Sequence, residues 1–191
     1  PETADVFYAY QKSEGSFFKS TDKGVTFQKV STPGTGNWRK FRLVPGKAGD
    51  IWLPLGKSGL SRSIDGGSAF SAVGSVSYCE AVGFGKAAGS KSFPTVYIFG
   101  TVNNVTGVFQ STDEGMSWTR VNDDAHEYGG LANGEFISGD MNLFGAVYMS
   151  TAGRGIACRL PSSMVPARRI TTKNNLTTGF PWYLKRNILH I

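Results

Sequence analysis

The sequence predicts an all-β fold, an incomplete β-propeller of about three and a half four-stranded blades built on Asp-box hairpins. Three observations carry that prediction. The phrase Ser-x-Asp-x-Gly-x-x-aromatic occurs three times, running from Ser20 to Phe27, from Ser63 to Phe70 and from Ser111 to Trp118. Its serines stand 43 and 48 residues apart, a period that belongs to propellers, solenoids and arrays. Between the copies lie short runs rich in aromatic and β-branched residues, separated by Gly, Ser and Asp turn signals, and such runs read as strands.

Taken in order, the first unit offers strands at Val6 to Tyr10, Gly15 to Lys19 and Phe27 to Val30. The second offers Phe41 to Val44, Ile51 to Leu55, Leu60 to Arg62 and Phe70 to Val73. The third repeats that count with Cys79 to Phe84, Val96 to Phe99, Val108 to Gln110 and Trp118 to Val121. A fourth begins at Phe136 to Ser138, continues through Ala146 to Met149 and ends near Gly153 to Ile156. In this register each Asp box is the turn between a third and a fourth strand. Asp22, Asp65 and Asp113 then accept bonds from turn amides, Gly24, Gly67 and Gly115 permit a positive φ, and Phe27, Phe70 and Trp118 pack between sheets. Together with Ser20, Ser63 and Ser111 these residues form a structural set, and a catalytic reading of the three aspartates is the weaker one. Closed propellers have roughly four to eight blades, so the chain is expected to belong to a larger propeller.

With 191 residues, 40% hydrophobic and 18% charged, the composition is that of an ordinary globular domain. No apolar run is long enough to span a bilayer, and Pro1 to Asp5 has neither the basic region nor the apolar core of a signal peptide. A mature chain or a piece of one is expected, with no membrane partner. The net charge of +6 would point to nucleic acid if it were concentrated in one patch. It is not: residues 1–157 hold 14 acidic and 14 basic residues, and the excess is the six dispersed cations Arg159, Arg168, Arg169, Lys173, Lys185 and Arg186. No nucleic-acid partner is expected. Residues 157–191 contain no acid and no strand periodicity. They are expected to form a basic tail of uncertain origin outside the 1–156 propeller, either a flexible extension or the product of a gene-model error.

The text between the boxes is more specific than the boxes. Leu43-Val-Pro-Gly-Lys-Ala-Gly-Asp-Ile-Trp52, Gly59 to Gly67, Ala81-Val-Gly-Phe-Gly-Lys86, Gly139-Asp140, Gly145 to Tyr148 and Gly153 to Ile156 follow one another in an order that resembles the C-terminal part of a glycoside hydrolase family 74 xyloglucanase, over about residues 5–156. The resemblance implies a secreted enzyme of two seven-bladed propellers that cuts the β-1,4-glucan backbone of xyloglucan with inversion. In the family one catalytic Asp lies in an Arg-Thr-Asp-x-Gly-Gly phrase and the other in a Gly-Asp-x-x-Gly-Phe phrase. Neither phrase occurs in this chain. Asp140 follows Gly139 but continues as Met-Asn-Leu-Phe, which matches the family's closing segment, and a structural role is expected for it. Glu127, Asp123 and Asp124 read as solvated loop carboxylates.

If the boxes occupy one face, the loops joining consecutive blades emerge on the other. Residues 31–40 contain Asn37 and Trp38, and residues 122–134 contain His126, Glu127 and Tyr128. Aromatic rings beside hydrogen-bonding groups suit glucosyl residues, so Trp38, His126 and Tyr128 are the candidate substrate-binding residues; the competing reading makes Trp38 a junction plug and His126 a satisfied loop histidine. Trp52 and Trp118 are expected in the core. Cys79 and Cys158, with only His126 and His190, make no metal-ligand spacing, and the two cysteines are either paired or separate. No cofactor is expected. Asn104-Val-Thr106 and Asn175-Leu-Thr177 fit the N-glycosylation pattern.

Three functions fit these residues. The first is a fragment of a xyloglucan-degrading hydrolase with both catalytic motifs outside the chain, inactive in isolation, its partners being xyloglucan or a related β-glucan and the remainder of the two-propeller enzyme. The second is a non-catalytic carbohydrate-binding Asp-box protein. The third is a sortilin-like propeller that binds protein.

Overall fold

The structure, a computed structural model, describes residues 4–36, 40–124, 134–153 and 155–161, and the backbone alone of residues 182–185. Short runs separated by Gly and Asp turns cannot continue as long strands, and they form four antiparallel sheets in chain order. The first holds β1 (Phe7–Gln11), β2 (Ser16–Ser20) and β3 (Gln28–Ser31). The second holds β4 (Arg42–Leu43), β5 (Ile51–Pro54), β6 (Leu60–Ser63) and β7 (Ser71–Ala72). The third holds β8 (Val76–Gly85), β9 (Thr95–Val102), β10 (Val105–Ser111) and β11 (Thr119–Arg120). The fourth holds β12 (Ile137–Gly139), β13 (Val147–Thr151), β14 (Gly155–Arg159) and β15 (Trp182–Lys185). Each strand pairs with its sequence neighbour, the up-and-down order of propeller blades.

The sheets stack face to face because their alternating side chains point both ways. Along β9, Val96 and Ile98 join Trp52, Leu60, Val82 and Phe84 in the core between the second and third sheets. Tyr97 points the other way, into the core with Ile137, Val147, Met149 and Ala157. Between the first two sheets the fully buried Phe17 ring meets Phe41 and Phe70 edge-on, at centroid separations of 5.3 and 5.1 Å, a favoured aromatic arrangement. The inner strands approach too closely for side chains at some points. A Cβ on Gly83 would lie 2.2 Å from the Ile137 carbonyl oxygen, and one on Gly85 would lie 2.9 Å from Gly139 Cα. The Gly-x-Gly of β8 thus sets the distance between the third and fourth sheets.

Two sequence expectations change. The strand expected to end near Ile156 runs on as β14 to Arg159, across the proposed boundary at residue 157. Ala157 is fully buried and Cys158 nearly so, and burial of a strand does not require the period-two pattern that an exposed sheet shows. β15, inside the expected tail, pairs with β14 along residues 182–185. Phe27 was expected between sheets but is 43% exposed. Phe70 packs on Phe17 of the preceding sheet, and no sheet precedes the first among the described residues. No disulfide joins Cys79 and Cys158; Cys79 is fully enclosed, and burial pushes its thiol pKa well up.

Candidate carbohydrate-binding face and Asp-box face

The serine of each box ends the strand before it, β2, β6 or β10, with its side chain inward, and Ser20, Ser63 and Ser111 are each 1% exposed. Its hydroxyl donates to the box aspartate, Ser Oγ to Asp Oδ1, at 2.7 Å in all three copies. The same oxygen accepts the amide of the box glycine at 2.9 Å for Gly24 and Gly67 and 2.8 Å for Gly115. The aspartate in turn accepts the amide of Thr26, Ala69 or Ser117, at 2.9, 3.0 and 2.9 Å. The chain can turn this tightly because the box glycines sit at φ 85°, 86° and 87°, a region that L side chains rarely adopt. Gly115 also needs its missing Cβ, which would lie 2.9 Å from the Trp52 ring.

These bonds fix the electrostatics. The Thr26 hydroxyl and amide and the Ser20 hydroxyl hold Asp22 down at about 2. Desolvation raises the Asp113 pKa, but the Ser117 hydroxyl and amide and the Ser111 hydroxyl outweigh it and bring Asp113 to about 2. Asp65 is lowered by the Ala69 amide and the Ser63 hydroxyl. Carboxylates stabilised in this way remain ionised at neutral pH and cannot donate a proton to a leaving group. The Asp140 side chain caps its own turn, its Oδ1 accepting the amides of Asn142 and Leu143 at 2.7 and 3.1 Å.

The first-to-second strand loops share the box face. The Gly66 amide donates to the Gly49 carbonyl at 3.0 Å, and Lys91 Nζ donates to the Thr112 carbonyl at 2.7 Å. The opposite face carries the second-to-third strand turns and the loops between sheets. There Tyr10 Oη donates to the Gly34 carbonyl at 2.5 Å, and Gly15 at φ 66° lies so near Gly34 that a Cβ would come within 2.4 Å of its carbonyl carbon. The second loop leaves through Asn122, whose buried side chain accepts the Val108 amide at 2.8 Å, and returns at Gly134, whose amide donates to the Ser150 carbonyl at 2.9 Å. The ends of both loops are therefore anchored on one face. Trp38, His126 and Tyr128, with Asn37 and Glu127, lie outside the described residues. Asp124 is described, pairs with Arg120 at 2.6 Å and is largely exposed.

Sequence reasoning passed over two buried carboxylates. Glu80, 2% exposed, accepts a hydrogen bond from Tyr78 Oη. Asp50, 5% exposed, accepts Trp52 Nε1 at 3.1 Å and a two-point contact from Arg62 at 2.9 and 2.6 Å. Both sit in strands or at their ends, where sequence pattern marks only the apolar positions. The sign that could have flagged Asp50 is its place next to the Ile51-Trp52 pair.

No family model matches the chain. Its sequence is 42% identical over 161 residues to the xyloglucanase Xgh74A of Acetivibrio thermocellus, covering 84% of this chain and 19% of that protein. Its structure superposes on that of a GH74 enzyme of Niastella koreensis with a TM-score of 0.76 and 49% identity, over 80% of this chain and 22% of the other. The chain belongs to glycoside hydrolase family 74. A GH74 xyloglucanase of Xanthomonas campestris is likewise similar, with a TM-score of 0.71 and 32% identity over 83% of this chain and 22% of the other. The family 74 chain described here thus spans about a fifth of the length of the relatives it matches. Those solved structures also agree with its reading as an incomplete propeller of small antiparallel sheets.

Proposed function

We propose that this chain forms part of a secreted family 74 hydrolase that cleaves the β-1,4-glucan backbone of xyloglucan, and that it supplies part of the binding cleft but neither catalytic carboxyl group. The observation that carries the reading is the 42% identity to a xyloglucanase across 84% of the chain. An inverting glycosidase needs one carboxyl group that stays protonated and a second, across a gap for water, that takes a proton. The box aspartates, held below the ordinary carboxylate range by turn hydrogen bonds, do not suit the acid role, and the Asp140 carboxylate is engaged by the amides of its own turn, in agreement with catalytic groups that lie elsewhere in the enzyme. The face opposite the boxes, with Trp38, His126 and Tyr128 in its loops, is the proposed glucan-binding surface, and the rest of the two-propeller enzyme is the proposed partner.

The test uses the purified 191-residue chain and xyloglucan. Retarded migration in a xyloglucan-containing gel, weakened by Trp38→Ala, together with no new reducing ends is the expected result. Release of reducing ends would refute the placement of the catalytic carboxyls. A folded chain that ignored xyloglucan and bound peptides would refute the glucan-binding face.

A further inference from the structure

The residue before the box serine is Lys19, Arg62 or Gln110, and the residue before the box glycine is Lys23, Gly66 or Glu114. Between the second and third sheets these two positions meet. Arg62, which precedes the second box, pairs with Glu114 of the third box at 2.8 Å and with Asp50 at 2.6 Å. Between the first and second sheets the same two positions are Lys19 and Gly66. A Cβ on Gly66 would lie 3.2 Å from Lys19 Nζ and 3.3 Å from Tyr8 Oη. The cation is present in this cleft, but the acid that would answer it has been replaced by hydrogen.

The space left open is a pocket of about 550 Å³, walled by Tyr8, Lys19, Val44, Pro45, Ile64 and Gly66. Among the described residues neither the Lys19 ammonium nor the Tyr8 hydroxyl has a hydrogen-bond or ion-pair partner. The other charged groups along the wall are occupied. Asp65 is held by Ser63 and Ala69, and Lys47 Nζ lies over the Phe93 ring, 5.8 Å from its centroid. An ammonium and a phenol converging on an apolar-walled pocket form a site for an anionic ligand with a cyclic body.

We propose that this cleft on the Asp-box face binds the carboxylate of a uronic acid, the ligand giving Lys19 what Glu114 gives Arg62, with the sugar ring against Tyr8, Pro45 and Ile64. The site is distinct from the proposed glucan-binding face and does not depend on the hydrolase reading. Titration of the 191-residue chain with glucuronate, followed by NMR, tests it, with glucose and acetate as separate arms. Saturable shifts at the pocket with glucuronate, and neither of the others matching it, are expected. Lys19→Gln should weaken binding by roughly tenfold or more, since a charge-assisted bond is lost. Gly66→Glu should abolish it by supplying an internal acid; Glu114 holds the same box position at φ 61° beside Gly66 at φ 75°, so the backbone accommodates the change. Absence of saturation in the wild-type chain, equal binding of glucose or acetate, or unchanged affinity in both variants would overturn the proposal.

Discussion

At each Asp box the buried partner is the serine, while the aspartate that gives the motif its name stays near the surface. The Ser63 hydroxyl donates to Asp65 and accepts from Gly67 while only 1% exposed. Ser63→Ala leaves a buried amide unpaired and should cost about 1–3 kcal/mol, read as a lower urea midpoint at unchanged slope. Gly115→Ala should be at least as damaging, because φ 87° and the Trp52 ring both exclude a methyl group. The aspartates set a pH dependence. Their folded pKa values lie below the ordinary 3.8, so their contribution is present above about pH 4 and is lost as pH falls toward 2. Thermal unfolding should therefore show a steady melting temperature near neutrality and a decline across that acid window, smaller in an Asp113→Asn variant. The sequence phrase disclosed the turn and the role of its glycine. It did not disclose the inward-facing serine, because a small polar residue at a strand end has the same local pattern whether buried or exposed.

Between elements, Arg62 joins the second and third sheets. It lies over the Trp52 and Phe93 rings at 5.1 and 4.9 Å and neutralises the buried Asp50. Arg62→Ala leaves Asp50 charged and enclosed, and should cost about 3 kcal/mol or more. Glu114→Gln removes only the half-exposed partner and should cost less than about 1 kcal/mol. Chemical denaturation of the two variants measures the contrast; similar losses would place the clamp at Glu114 rather than Asp50. Strands β1 to β13 were legible from aromatic and β-branched runs between Gly and Asp turns. β15 was not, since the residues after Arg159 follow no alternation, and pairing with β14 depends on a contact distant in sequence. The fourth sheet also puts Arg159 opposite Val147, in the place where Ser63 faces Ile51 and Ser111 faces Val96. No box phrase marks that position, so the repeat of the phrase ends with the third sheet.

For the whole molecule, repeat period and inter-box text together indicated a family 74 propeller, and the four sheets and the relatives bear this out. The proposed glucan-binding face follows only by elimination, from the side that the boxes leave free, and its candidate residues Trp38, His126 and Tyr128 lie outside the described residues. The inter-sheet pocket was invisible because it depends on comparing Lys19 with Arg62 and Gly66 with Glu114 once their spatial partners are known. The central claim is that these blades are an interchangeable part of a xyloglucan-cleaving enzyme. It is tested most directly by replacing the corresponding segment of the Acetivibrio thermocellus xyloglucanase with residues 5–161, which keep β14 whole, and measuring new reducing ends from xyloglucan. A folded chimera that retains xyloglucan cleavage, and loses it when Trp38 is changed together with Tyr128, is the predicted result. A folded chimera with no activity on xyloglucan would contradict the account.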